Sequence, residues 1–180
     1  MLKKKNTGGF FLFINSILYM LLSVFYLATP LNDFLSHIIT TGTVLMVCGL
    51  VCITAFINNP RAYFRPGWIL SQGFLQILLG FYILFNRLVT NHDSYFIIFG
   101  AWALFTGITQ ISVSIQIRAL DISRWYFVLS IGLFNLLIGM LMMLNMFKFI
   151  DLLFVYTAIY FISLSVSYVL EFFVYRKGSA

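Results

Sequence analysis

The chain has 180 residues, of which 62% are hydrophobic and only 9% charged, with a formal net charge of +6. A soluble domain carries roughly 25% charged residues; an apolar fraction this high cannot be hidden in a soluble core of this size, so lipid is the expected solvent for most of the surface. The basic surplus lies between apolar runs rather than in a basic domain or amphipathic helix, which argues against nucleic acid as a partner and marks the charge as topogenic.

In chain order, six segments are long enough to cross the hydrocarbon core, which needs about 20 apolar residues. Helix 1 is expected over Gly9 to Ala28 and helix 2 over Leu35 to Ile57. Helix 3 is expected over Gly67 to Phe85, helix 4 over Tyr95 to Ile117, helix 5 over Trp125 to Leu144 and helix 6 over Leu152 to Tyr175. The first segment mimics a secretory signal, with Lys3, Lys4 and Lys5 before an apolar run that ends in Ala28. It is long enough to span and belongs to the repeat described below, so it reads as a retained helix. The runs are continuous and lack the alternation of a membrane barrel. Pro30, Pro60 and Pro66 all fall between segments, where a missing N–H costs little. The connections are short, so the chain reads as a single six-span domain, 1–180.

Orientation follows from Lys and Arg. Nine of them flank one side: Lys3, Lys4, Lys5, Arg61, Arg65, Arg118, Arg124, Arg176 and Lys177. Only Arg87 and Lys148 flank the other. The positive-inside rule then expects both termini in the cytoplasm of a bacterial inner membrane, with Trp68 and Trp125 at the cytoplasmic headgroup level. Cys48 and Cys52, four apart on one helical face, are poorly placed for a disulfide and lack a second pair for a metal site. They read as small apolar helix residues, and no cofactor is expected.

The organising feature is a spacing of seven between small residues. It joins Ser16 to Ser23, Gly42 to Gly49, Gly73 to Gly80, Gly100 to Gly107, Gly132 to Gly139, and Ala158 to Ser165. Successive odd helices, and successive even ones, place these residues about 58 positions apart. The chain is therefore three copies of a helix hairpin, at about 9–58, 66–117 and 124–175. Two spans per copy leave every copy in the same orientation, which relates the copies by an axis along the membrane normal. The expected fold is an all-α membrane bundle of six transmembrane helices with approximate threefold symmetry. Residues at i and i+7 line one seam of a supercoiled helix. In lipid, where close backbone approach holds helices together, small residues belong on that seam.

Three residues beyond each odd-helix seam position stand Tyr19, Gln76 and Asn135. They are repeat-equivalent and should point into the bundle, either as a polar layer able to carry water or a proton or as interhelical hydrogen bonds. Cys52, Gln110 and Tyr168 form the matching set in the even helices, and Gln72 extends the polar face of helix 3. On the opposite side from the basic loops, Asp33, Asp93 and Asp151 stand at the starts of even helices. They suit helix capping, or an acid-responsive outer face together with His37 and His92, since carboxylates titrate near about pH 4 and histidine near about 6.5. Glu171, the single glutamate, lies about one turn from the end of helix 6 and is expected to snorkel or to pair with Arg176, Lys177 or a loop arginine. No paired intramembrane carboxylate, HExxH, GxSxG or phosphate loop is present, so an enzyme is not expected.

Two stretches lead from a basic loop and a Trp into a Gly-spaced helix: RPGWILSQGFLQILLG from Arg65 to Gly80, and RWYFVLSIGLFNLLIG from Arg124 to Gly139. With FGAWALFTGITQI from Phe99 to Ile111, they resemble the HdeD family of small bacterial inner-membrane proteins associated with acid resistance. Helices 3 to 6 carry the resemblance best; helices 1 and 2 match more loosely, with Ser16 and Ser23 in place of glycine. The resemblance implies a six-span fold and a stress-related role, and brings no catalytic residues with it. Three roles are open at this point: acid tolerance, with lipid and a periplasmic or membrane protein as partners; a small proton or solute transporter; and an assembly subunit.

Overall fold

The computed structural model describes residues 8–29, 34–58, 67–86, 92–119, 125–144 and 150–177, with the side chains of 92, 93, 150–152 and 174–177 outside the description. Six helices occupy these stretches: α1 (Gly8–Ala28), α2 (Phe34–Ile57), α3 (Gly67–Phe85), α4 (His92–Ala119), α5 (Trp125–Met143) and α6 (Ile150–Lys177). All six are long and apolar enough to span a membrane. The protein is an all-helical, multi-pass membrane protein. α4 and α6 run two or three residues beyond the expected ends, because hydropathy marks only the part of a helix that sits in hydrocarbon and a helix continues into the interface.

Each helix forms where it does because one face is apolar toward lipid and the other carries small or polar residues at helical spacing. In α1, Leu12, Asn15, Ser16, Tyr19, Leu22, Ser23 and Tyr26 are buried, while Phe10, Phe13, Ile17, Leu21 and Val24 face outward. The pattern of three and four is the 3.6-residue period read as a stripe. Here the outward face is as apolar as the inward one, so small residues and hydrogen bonds, rather than hydrophobicity, distinguish the packed side.

The seams close between hairpins, not within them. α2 packs on α3, α4 on α5, and α6 on α1, and these are the three most intimate contacts in the bundle. The helices of each pair run antiparallel. A Cβ built on Gly49 would stand 2.6 Å from the Gly73 carbonyl oxygen, and one on Gly80 would stand 2.6 Å from that of Gly42. The next pair repeats the geometry: Gly107 against the Gly132 carbonyl at 2.8 Å, and Gly139 against that of Gly100 at 2.8 Å. At the third interface the first and last helices meet, and Ser16 Oγ hydrogen-bonds Ser165 Oγ at 3.0 Å. Buried Ser23 and Ala158 continue that seam seven residues on. The chain thus closes a ring in which each even helix grips the next odd one.

The threefold relation is approximate. α1 also packs closely on α2, whereas α3 scarcely touches α4. The large buried side chains come mainly from α1, α2, α4 and α6; α3 supplies Ile69 and Ile83, and α5 supplies Ile138 and Met142. α3 and α5 are therefore outer helices clamped by their glycines onto α2 and α4. α1 sits deeper than they do, because its serines and Tyr19 give it partners inside.

Candidate functional site

We call the end where α1 begins and α6 ends the basic end, after the basic residues flanking it in sequence. The interior holds two polar groups of residues at different depths and a flank of a third kind.

The first group lies toward the basic end, where α1, α2, α3 and α6 meet. Tyr168 is its hub. Gln76 Nε2 donates to the Tyr168 hydroxyl at 2.6 Å, Cys52 Sγ lies 3.4 Å from the same oxygen, and the Tyr19 ring stacks on Tyr168 with centroids 5.6 Å apart. Asn15 Nδ2 donates to the Cys48 carbonyl at 3.1 Å and to Cys52 Sγ at 3.0 Å. The Cys52 thiol donates to Gln76 Oε1 at 3.8 Å. Both cysteines are free and buried.

The flank lies between α4, α5 and α6. Asn135 Nδ2 donates to Gln110 Oε1 at 2.7 Å, Gln110 Nε2 donates to Ser167 Oγ at 2.7 Å, and the Ser163 hydroxyl donates to Asn135 Oδ1. Each odd-helix position thus meets its even-helix counterpart: Gln76 meets Cys52, Asn135 meets Gln110, and Tyr19 meets Tyr168. Tyr19, Gln76 and Asn135 are all buried, but they do not form one layer. Tyr19 and Gln76 join at Tyr168, while Asn135 spends its amide on α4 and α6.

The second group lies toward the other end. The Tyr26 hydroxyl bonds that of Tyr95, and both reach Thr41 Oγ1, at 2.8 and 3.2 Å. His37 is fully buried among the rings of Phe25, Tyr26 and Phe154, with centroids 4.8 to 5.1 Å away, and its Nε2 lies 3.2 Å from Thr29 Oγ1. This corrects its expected place on an outer face: an imidazole at that register of α2 points between α1 and α6 and is sealed by aromatic rings. Asp93 and Asp151 are the second residues of α4 and α6. Their side chains, with His92 and the whole of Asp33, lie outside the described residues. Between the two groups stand fully or nearly fully buried rings of Phe99, Trp102 and Phe161, with Phe161 in ring contact with both Tyr19 and Tyr26.

Glu171 neither snorkels nor lies at the surface; it is 6% exposed, next to Cys52 and Tyr168. The side chains of Arg176 and Lys177 are outside the described residues. Asn15 is marked in the sequence only by the repeat: it precedes Tyr19 by four residues, as Gln72 precedes Gln76. The same arithmetic relates Tyr95 to His37, 58 residues apart. Ser163 and Ser167 carry no such signal, since serine is common in membrane helices.

The matched family model is that of a short repeat of unknown function (DUF308), found at residues 14–85 and 93–144. The match covers well over half of the chain. This protein belongs to the DUF308 family. The second matched segment contains one whole seam pair, α4 with α5, which is the unit that the glycines close. No curated protein and no solved structure matches the chain.

Proposed function

We propose that this DUF308 protein is a non-enzymatic integral protein of the bacterial inner membrane, of the HdeD type, that supports tolerance of acid or a related stress. Both termini face the cytoplasm in this reading, and a periplasmic or membrane protein is its partner. The observation that carries it is the filled interior: buried rings of Phe99, Trp102 and Phe161 stand between the two polar groups, so among the described residues aromatic side chains fill the space between them. The resemblance of the Trp-led, Gly-spaced helices to the HdeD family supplies the stress role. A strain lacking the gene is expected to survive low external pH less well than its parent, with survival restored by the intact gene. Equal survival across several acid challenges removes the proposal.

A second reading, passage of protons or a small solute, is favoured by one observation: ionisable groups stand on both sides of the aromatic layer, Glu171 on one and His37 on the other. Reconstituted in liposomes, the protein would then carry flux above empty vesicles, and Gln76→Leu with Asn135→Leu would reduce it. No flux above empty vesicles sets this reading aside.

A further inference from the structure

The polar group at the basic end contains oxygens that the fold leaves unsatisfied. Glu171 Oε2, Gln72 Oε1 and Asn15 Oδ1 are all buried with no hydrogen-bond partner, on residues 6%, 5% and 0% exposed. They come from α6, α3 and α1, the helices joined at Tyr168 and Cys52. Gln72 lies one turn toward the basic end from Gln76, Glu171 about one turn the same way from Tyr168, and Asn15 one turn the same way from Tyr19. Asn15 bonds Cys52 Sγ, Glu171 lies beside the same thiol, and Gln72 stands one turn from Gln76, which also reaches it, so the three orphan oxygens belong to residues gathered about Cys52 and Tyr168.

Three acceptors without a donor are costly inside a membrane bundle, and a carboxylate among them most of all. Among the described residues, the groups beside Glu171 are Cys52 from α2 and Tyr168 from its own helix, and neither brings a positive charge. The one basic side chain among the described residues, Arg118, lies over the Trp125 ring at 4.8 Å.

Packing does not require the carboxylate. The repeat places Ala55 and Val113 at the positions equivalent to Glu171, 58 residues apart, and both are buried. Ile131 stands in α5 where α1 has Asn15 and α3 has Gln72. The carboxylate is therefore the departure from the repeat, while Asn15 and Gln72 are repeat-equivalent amides of α1 and α3.

We propose that Glu171, Gln72 and Asn15 form a binding site for one monovalent cation, a proton or an alkali metal ion, reached from the basic end. One bound positive charge neutralises the carboxylate. A proton on Glu171 also turns one orphan acceptor into a donor for another; a metal ion takes all three oxygens as ligands. The inference concerns occupancy and stands whether or not the protein carries flux or supports acid survival.

Glu171 is the only glutamate in the chain, so carbon-13 at the glutamate side-chain carboxyl reports this site alone, in the intact protein. The label is read in lipid vesicles by infrared and solid-state NMR across a pH series, with choline chloride, NaCl or KCl as the salt. A neutral acid at neutral pH identifies the occupant as a proton. A carboxylate whose signal moves on replacing choline by Na⁺ or K⁺, with a gain in melting temperature that Glu171→Gln loses, identifies a metal ion. A label that is carboxylate at neutral pH and indifferent to both alkali ions overturns the site.

Discussion

Gly49→Ala is expected to disrupt the bundle although it adds a single methyl group. That methyl would stand 2.6 Å from the Gly73 carbonyl oxygen and 3.0 Å from the Ile77 backbone nitrogen. Backbone atoms cannot rotate away as a side chain can, so α2 and α3 must separate along the seam. Overpacking costs about 1–3 kcal/mol where neighbours can adjust, and here the partners are main chain; the upper end of that range or beyond is expected. Ser16→Ala, at the repeat-equivalent α1–α6 seam, removes only the bond to Ser165 and should cost about 0.6 kcal/mol. Thermal or SDS unfolding of the two variants reads the contrast. A Gly49→Ala protein that inserts, stays monodisperse and melts with its parent would show that the glycines do not set the helix separation.

Asn135→Leu carries the second large effect. It removes the donor from Gln110 Oε1 and the acceptor from the Ser163 hydroxyl. Ser163 retains its bond to the Tyr160 carbonyl, whereas Gln110 Oε1 is left buried and unpaired, a loss of about 1–3 kcal/mol. Because the penalty lies mostly in the orphaned oxygen, Asn135→Leu with Gln110→Leu should destabilise by less than the two single changes added together. A double-mutant cycle measures this directly. Strict additivity would mean that the amides do not act as a pair.

The seams show what was legible in the sequence. Six small-residue pairs at one spacing imply six helices, three repeats and tight packing, because close approach in lipid tolerates few other residues. The pairing itself was not legible. The spacing is identical in every helix, so Gly49 could equally have met Gly107, and only the closure of α6 on α1 decides that even helices grip the next odd one. Side-chain partners were half visible. The repeat marks Tyr19, Gln76 and Asn135 and the matching set Cys52, Gln110 and Tyr168 without saying which meets which; Gln76 meets Cys52 and Tyr168, while Asn135 meets Gln110 and Ser163. His37 was misplaced because its position near a loop suggested the surface, while its helical register turned it inward. Glu171 was visible as the lone intramembrane carboxylate; its burial was not, as the neighbouring Arg176 and Lys177 offered a simpler partner.

The central claim is the ring, closed by the first helix on the last. Ser16 Oγ and Ser165 Oγ, 3.0 Å apart, allow it to be tested in the membrane. With Cys48 and Cys52 changed to alanine, Ser16→Cys with Ser165→Cys should form a disulfide within one chain on mild oxidation. A protease site placed within residues 120–124, between α4 and α5 in sequence, would make that bond hold two cleaved fragments together until it is reduced. Ser16→Cys with Val166→Cys, the latter on an outward-facing residue, should not link. Fragments that separate without reductant, or link only between chains, would contradict the closure of α6 on α1 and with it the arrangement of all three seams.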